Sequence, residues 1–301
     1  MADPVLIRIR LNIVRHHQGD PAMNDDRSSS VHGRSVSLYK YFPPERVDFF
    51  ASHLVRFTPP SAFNDPFDTN PVISAGGDPT QLDLATPHAP MVSQLRQSLQ
   101  KVYDVMMNRP RMGQNFIGLT YGILSMSERN DSLLMWAHYA EDHRGFVVQF
   151  RSSHRWFVGV RKIVYSDERP FVAPFSKSPS QSSFENSDDN FYIKGRDWAY
   201  EKEWRLVRKV GAWELTSKDE KSQLHLLSVP VSAITAVFIG ARMPSDRRTQ
   251  LDSLLLEKQN SRLVIVQSKL SIRRFELEFV PVARKTLKAA LNARTTPTAI
   301  R

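Results

Sequence analysis

Short apolar runs separated by proline, glycine and serine mark this chain, and they predict strands more often than helices. Leu38-Tyr39-Lys40-Tyr41-Phe42 reads as a strand, Glu45 to His53 as a short helix, and Val55 to Thr58 as a second strand ended by Pro59-Pro60. Residues 74–90 are rich in Gly, Pro and Asp and read as a loop, while Met91 to Asn108 has helical spacing. Phe116 to Met126 reads as a buried strand and Arg161 to Tyr165 as another. The serine-rich stretch Ser176 to Asn190 reads as a flexible loop or insertion. Strands are then expected at Glu203–Val210, Ser222–Val229, Ala233–Ile239, Leu263–Gln267 and Phe275–Phe279, with a helix over Ser245–Gln259. The pattern predicts a single mixed, strand-rich α+β domain, with helices inserted between strands and no regular βαβ alternation.

The richest segment is Ser125 to Phe150. Asn130, Asp131 and Ser132 are N-cap residue types, and Gly145 stands where a left-handed residue would end a helix. Leu133, Leu134, Ala137 and Ala140 predict one apolar face, and Met135, His138, Tyr139 and Asp142 a second. The following Phe146–Phe150 reads as a strand. Such a helix would bring imidazole, phenol and carboxylate to one end of a buried strand.

The 301 residues include no cysteine, which removes disulfides, thiolate metal sites and a cysteine nucleophile, and fits a reducing cytoplasm. No apolar run approaches the roughly 18–20 residues needed to span a bilayer, so no membrane association is expected. Val5 to Val14 is interrupted by Arg8 and Arg10, and its alternation suggests a strand. Residues 19–33 are polar, making 1–37 a disordered or loosely attached segment and Met23 an alternative start. The net charge of +10 has an uneven distribution. Residues 282–301 carry five cations and no acid, which predicts a solvated basic tail with weak polyanion affinity, after a core spanning 38–281.

Two further motifs carry chemistry. In Pro60-Ser61-Ala62-Phe63-Asn64-Asp65-Pro66-Phe67-Asp68, acids bracket a proline-fixed turn anchored by two phenylalanines, either an Asx-turn loop or a site loop. In Tyr200-Glu201-Lys202-Glu203-Trp204-Arg205-Leu206, an extended chain would put Glu201, Glu203 and Arg205 on one face. Two close carboxylates repel, and Arg205 is placed to offset them. No Walker loop, Gly-x-Gly-x-x-Gly or His-Glu-x-x-His motif is present, and Gly240 before a helix is only a weak anion nest.

These blocks, with Leu38–Tyr41 and Ser125–Phe146, resemble the mostly bacterial domain-of-unknown-function family 2971 across residues 38–205. A more distant similarity, to ADP-ribosyltransferases, lies in the order Tyr39/Lys40, His138/Tyr139, Glu201/Glu203. It implies an ADP-ribosyltransferase-like fold that takes NAD as substrate and modifies a protein or nucleic acid, in a toxin or anti-phage setting. By that similarity Tyr39, Lys40 and Tyr41 would contact the ribose and nicotinamide, Tyr139 would stack, and Glu203 would hold a ribose hydroxyl. His138 and Glu201 would complete the catalytic set, Arg129 or Arg205 would meet the pyrophosphate, and Asn64 and Asp65 would line the cofactor site. Two departures stand out: the early position is Lys rather than His or Arg, and the middle element falls on a helix. The residues also permit a nucleic-acid-associated protein or nuclease with Asp65, Asp68, Glu201 and Glu203 around a metal, or a non-catalytic scaffold whose motif groups pair with one another.

Overall fold

The structure, a computed structural model, describes residues 36–73, 121–172, 187–209 and 225–295. The strand read in the N-terminal segment, the loop at 74–90, the helix at 91–108 and most of the serine-rich insertion lie outside the described residues. The fold is α+β, as the pattern predicted.

An eight-stranded mixed sheet runs in the order β14-β13-β12-β5-β1-β4-β10-β6. Its strands are β1 (Ser37–Phe42), β4 (Tyr121–Ser127), β5 (Phe146–Arg151), β6 (Arg161–Lys162), β10 (Glu203–Lys209), β12 (Ile234–Ile239), β13 (Val264–Leu270) and β14 (Leu277–Pro281). Three small pairs flank it: β2 (Leu54–Phe57) with β11 (His225–Ser228), β3 (Val72–Ile73) with β8 (Phe171–Val172), and β7 (Val164–Ser166) with β9 (Ile193–Gly195). The expected single strand Arg161–Tyr165 is thus two, because Ile163 is buried between segments that pair with different partners. Within the main sheet, among the described residues, β12 and β13 are the one parallel pair, joined through helix α3 (Ser245–Leu256), and the small pairs β3–β8 and β7–β9 are also parallel.

Pleating divides the sheet chemically. Leu38, Phe42, Leu124, Met126, Phe146, Val148, Phe150, Trp204 and Leu206 project to one face and join the largest apolar core. Tyr39 pairs with Ser127, and Ser127 with Glu203, so these three residues lie in one row on the opposite face.

The short helix after β1 is a 3₁₀ turn, Pro44–Asp48, continued by α1 (Phe49–Ser52) and ended by left-handed His53. The helix of the Ser125–Phe150 segment, α2, covers just Leu133–Tyr139. Ser132 caps it as expected, its side chain accepting from the Met135 amide. Its buried stripe is Met135, Trp136 and Ala140, whereas Leu134 is exposed, contrary to the expected apolar face. Trp136 decides the rotation: it packs edge-on against Tyr41 at 5.6 Å and donates its indole N–H to the Asn130 carbonyl at 2.7 Å.

The helix does not run on to Gly145. Glu141, Asp142 and His143 all take positive φ, and the turn is held by a local bond, Gly145 N–H to the Ala140 carbonyl, and a tertiary one, Arg242 N–H to the His143 carbonyl. Gly145 serves close approach instead of capping. A Cβ there would lie 1.9 Å from the Phe42 carbonyl oxygen. Gly145→Ala is therefore expected to cost about 3 kcal/mol or more through overpacking between β1 and β5, measurable as a lower urea midpoint.

Residues 284–295, expected to be part of a solvated tail, form α4 (Arg284–Thr295). Leu287 is buried, and Arg284 donates to the Leu255, Asn260 and Leu263 carbonyls. Arg294 pairs at 2.9 Å with Asp252, a fully buried acid that Arg248 also holds. Local charge density said tail; partners on α3 make it a docked helix. Among the described residues no helix is long and apolar enough to cross a membrane.

Candidate functional site

The acid-rich segment after Trp198 is not one extended strand. Arg196–Glu201 form a 3₁₀ turn, Lys202 takes a left-handed φ of 47°, and β10 starts at Glu203. That kink brings Glu201 back beside Glu203 although the two lack a shared strand. Two bonds lock it: Ser127 Oγ donates to the Glu201 carbonyl at 2.6 Å, and the Glu128 amide to that of Lys202 at 3.1 Å. Within β10 the predicted alternation holds, with Trp204 and Leu206 in the apolar core and Glu203 and Arg205 on the other face.

Five ionisable residues converge there, all nearly sealed from solvent: Asp68, Lys194, Glu201, Glu203 and Arg205. Arg205 grips Asp68 with both terminal nitrogens, at 2.8 and 2.5 Å, and donates through Nε to Glu203 at 2.7 Å and through Nη1 to the Phe191 carbonyl at 2.8 Å. Its guanidinium stacks over Phe63, 5.0 Å from the ring centroid. Lys194 bridges the two glutamates, at 2.6 Å to Glu201 and 3.1 Å to Glu203. The planar fork and the point charge have separate tasks: Arg205 orders the cluster, and Lys194 offsets part of its remaining charge.

Three carboxylates face two cations, leaving one surplus negative charge. The surplus falls on Glu201. Burial raises its carboxyl above the ordinary range, Glu203's charge adds to that, and Lys194 only partly offsets it. Burial also works against an ionised Glu203, but Arg205 and Lys194 together outweigh it and hold that carboxyl at about 2. Glu203 is a fixed anion with both oxygens occupied.

Tyr139, at the end of α2 and half-buried, donates its hydroxyl to Glu201 at 2.6 Å. Burial, then the Glu201 charge, pushes the phenol pKa up, so it stays a proton donor. Asn64, exposed on the Phe63–Asp68 turn, also reaches this hydroxyl. Tyr200 and Trp198 stand half-buried nearby, and Trp198 covers the Lys194 amine at 4.7 Å. Tyr139 and Asn64 thus form the solvent-facing rim of an otherwise closed cluster.

Of the residues predicted from sequence, Tyr139, Glu201, Glu203, Arg205 and Asn64 are brought together. Asp65 is buried beside them but caps the turn, accepting from the Phe67 amide at 2.9 Å. His138 is exposed and makes only an edge contact with the Tyr139 ring at 6.3 Å. Arg129 is occupied at the surface by Asp131 at 2.8 Å. Tyr39 lies in the row of Ser127 and Glu203, its ring packed on Phe238, and Tyr41 is buried with its hydroxyl on the Arg129 carbonyl. Lys40 leaves β1 on the opposite pleat from both tyrosines, so the three do not form one contact surface. The Gly240 N–H is taken by the Gly145 carbonyl, which closes the anion nest. Of the four carboxylates of the metal reading, Asp68, Glu201 and Glu203 are gathered on Lys194 and Arg205, and Asp65 caps its turn. Among the described residues no group of three or more His, Asp or Glu is arranged to hold a metal ion.

Lys194 escaped the sequence reading. Its one local signal is an isolated lysine in the aromatic run Phe191-Tyr192-Ile193, seven residues before Glu201.

The stretch from α2 to β10, which supplies every member of the cluster except Asp68, decides the family resemblance. Residues 135–206 match DUF2971, a family of proteins of unknown function. The match begins at Met135 and ends at Leu206, so it spans Tyr139, Lys194, Glu201, Glu203 and Arg205 together. Neither the curated proteins nor the solved structures contain a match to the chain.

Proposed function

We propose that the Glu201–Tyr139 pair is the reactive edge of an NAD-consuming, ADP-ribosyltransferase-like site. The observation that carries this is the hydroxyl–carboxylate contact of 2.6 Å at the rim of a cluster with one surplus negative charge. Breaking the bond between nicotinamide and ribose develops positive charge on the sugar, and a fixed negative cluster in a low-dielectric setting stabilises it. Nicotinamide leaves with the bonding electrons, the acceptor's nucleophile bonds to the ribose carbon, and the nucleophile's proton passes to Glu201. Because Glu203 accepts three bonds from Arg205 and Lys194, and Glu201 only two, one of them from Tyr139 at the rim, the ribose-hydroxyl role inferred for Glu203 by similarity moves to Glu201. Tyr39, Tyr139 and Asn64 offer aromatic surface and hydrogen-bonding groups suited to a nicotinamide riboside.

Titration of NAD into the wild-type protein, with nicotinamide release followed by chromatography, tests this reading. Binding with slow release is expected, and Tyr139→Phe is expected to lower release by about 10-fold through loss of one charge-assisted hydrogen bond. Absence of NAD binding removes the proposal. A second reading, a binding or scaffold module, is favoured by one observation: Asp68, Glu203 and Arg205 satisfy one another, as a core-knitting network would.

A further inference from the structure

The basic excess of the chain is concentrated toward its C-terminal end. Residues 258–295 hold nine cations against two acids, Glu276 and Glu278. Two of the nine, Arg284 and Arg294, are spent on backbone carbonyls and on Asp252. The other seven are exposed. Lys269, Arg273 and Arg274 among them belong to the β13–β14 hairpin, at one edge of the main sheet. Lys269 has Glu278 directly across the ladder. Arg273 and Arg274 make no ion pair, side-chain hydrogen bond or ring contact among the described residues.

The Ser271 amide closes the hairpin by donating to the Glu276 carbonyl at 3.1 Å. The loop between them is Ile272-Arg273-Arg274-Phe275, which puts two arginines at the apex and one apolar residue on each shoulder. Ile272 is 94% exposed and Phe275 fully exposed. Turn geometry does not call for these residues, since tight hairpin loops favour Gly, Asn or Asp and this loop has none. The core does not call for them either, because neither apolar side chain is buried. One exposed apolar residue needs no account, but here two bracket a pair of uncommitted guanidiniums on four consecutive positions.

We propose that this hairpin tip is a binding element for single-stranded nucleic acid. A guanidinium meets phosphate oxygens with a planar fork of donors, and an exposed aromatic face stacks on unpaired bases whatever their sequence. Phe275 offers the face, Arg273 and Arg274 offer the donors, and the basic excess of the surrounding segment attracts a polyanion. A bilayer is the poorer match. With both charges at the apex, Ile272 and Phe275 reach hydrocarbon only by carrying the arginines in ahead of them. None of these residues belongs to the Glu201 cluster, so the inference stands apart from the chemistry proposed there.

Fluorescence anisotropy with labelled oligo(dT) and oligo(U), measured on the full chain over a range of salt concentrations, tests it. Wild type is expected to bind, with an affinity that falls as salt rises. Phe275→Ala is expected to bind about 10-fold more weakly at an unchanged salt slope, because a stacking contact is lost without a phosphate contact. Arg273→Gln combined with Arg274→Gln is expected to flatten the logarithmic salt slope by about 1.4, at roughly 0.7 per phosphate contact on a single strand. These side chains are exposed and touch nothing, so the thermal midpoints of the variants are expected to match wild type, which separates loss of the site from loss of the fold. A preference for DNA or for RNA tells which strand is the partner, and either supports the site. Three results overturn it: no binding by wild type, unchanged affinity in Phe275→Ala, or an unlabelled duplex that competes as well as the single strand. Phe275-dependent sedimentation with phosphatidylserine vesicles, in place of oligonucleotide binding, also overturns it and assigns the tip to a lipid surface.

Discussion

Arg205→Ala is expected to lower the unfolding free energy by about 3–5 kcal/mol, the range for stripping one partner from a buried ion pair. The guanidinium is fully buried and holds Asp68 with two bonds and Glu203 with its Nε. Removing it leaves Asp68, Glu201 and Glu203 facing Lys194 alone. Their repulsion raises carboxylate pKa values, so protons are taken up on folding and the defect is expected to shrink in mild acid. Arg205→Lys is expected to recover little, since an ammonium cannot reach two carboxylates and a carbonyl in one plane. Chemical denaturation at several pH values measures both effects; an Arg205→Ala protein as stable as wild type would remove the cluster's structural role.

The pH dependence of the wild type follows from the same charges. Glu203 has its folded-state pKa depressed from an ordinary 4.5 to about 2. Its stabilisation is fully present above 4.5 and is lost as pH falls toward 2. Glu201 is shifted upward, so its contribution has the opposite sign, and stability declines as pH rises from 4.5 through its elevated folded value. Wild type is thus expected to lose stability on both sides of a weakly acidic maximum. Glu201→Gln is expected to flatten the upper side.

Glu201→Gln is also expected to lower nicotinamide release by about 100-fold or more, the usual effect of removing a positioned acid–base group. The fold is expected to survive, because the amide oxygen can still accept from Lys194 while its NH2 donates to the Tyr139 hydroxyl, and the surplus charge is removed. Glu203→Gln is expected to behave differently. It weakens the Arg205 and Lys194 contacts, so its loss of activity arrives together with a loss of stability. Release rates and thermal midpoints on the same preparations separate the two glutamates. Equal activity in Glu201→Gln and wild type would eliminate Glu201 as the reacting carboxylate.

Much of this was legible where the controlling forces are local. Ser132 caps α2 because its hydroxyl reaches an amide three residues away, and Trp204 and Leu206 alternate with Glu203 and Arg205 because a strand has period two. Most strands of the main sheet were visible as apolar runs for the same reason. The end of α2 was not legible. The left-handed turn Glu141–His143 is held in part by a bond from Arg242, beyond β12, and such a bond leaves no mark on the turn's own sequence. The docking of α4 was hidden in the same way, since its basic residues are matched by Asp252 and by carbonyls after α3.

The candidate site shows the division most clearly. Residue types alone determined that Tyr139, Glu201, Glu203 and Arg205 are chemically capable, and that two neighbouring carboxylates require a cation. Tertiary structure decided which carboxylate meets the half-buried Tyr139 hydroxyl and which is held by Arg205. Asp68 and Lys194 arrive from separate segments, and the left-handed bend at Lys202 turns Glu201 toward Tyr139 while Glu203 is sealed against Arg205. Sequence separation carries no information about such encounters, because the interactions that set proton affinity act through distance in space and burial from water.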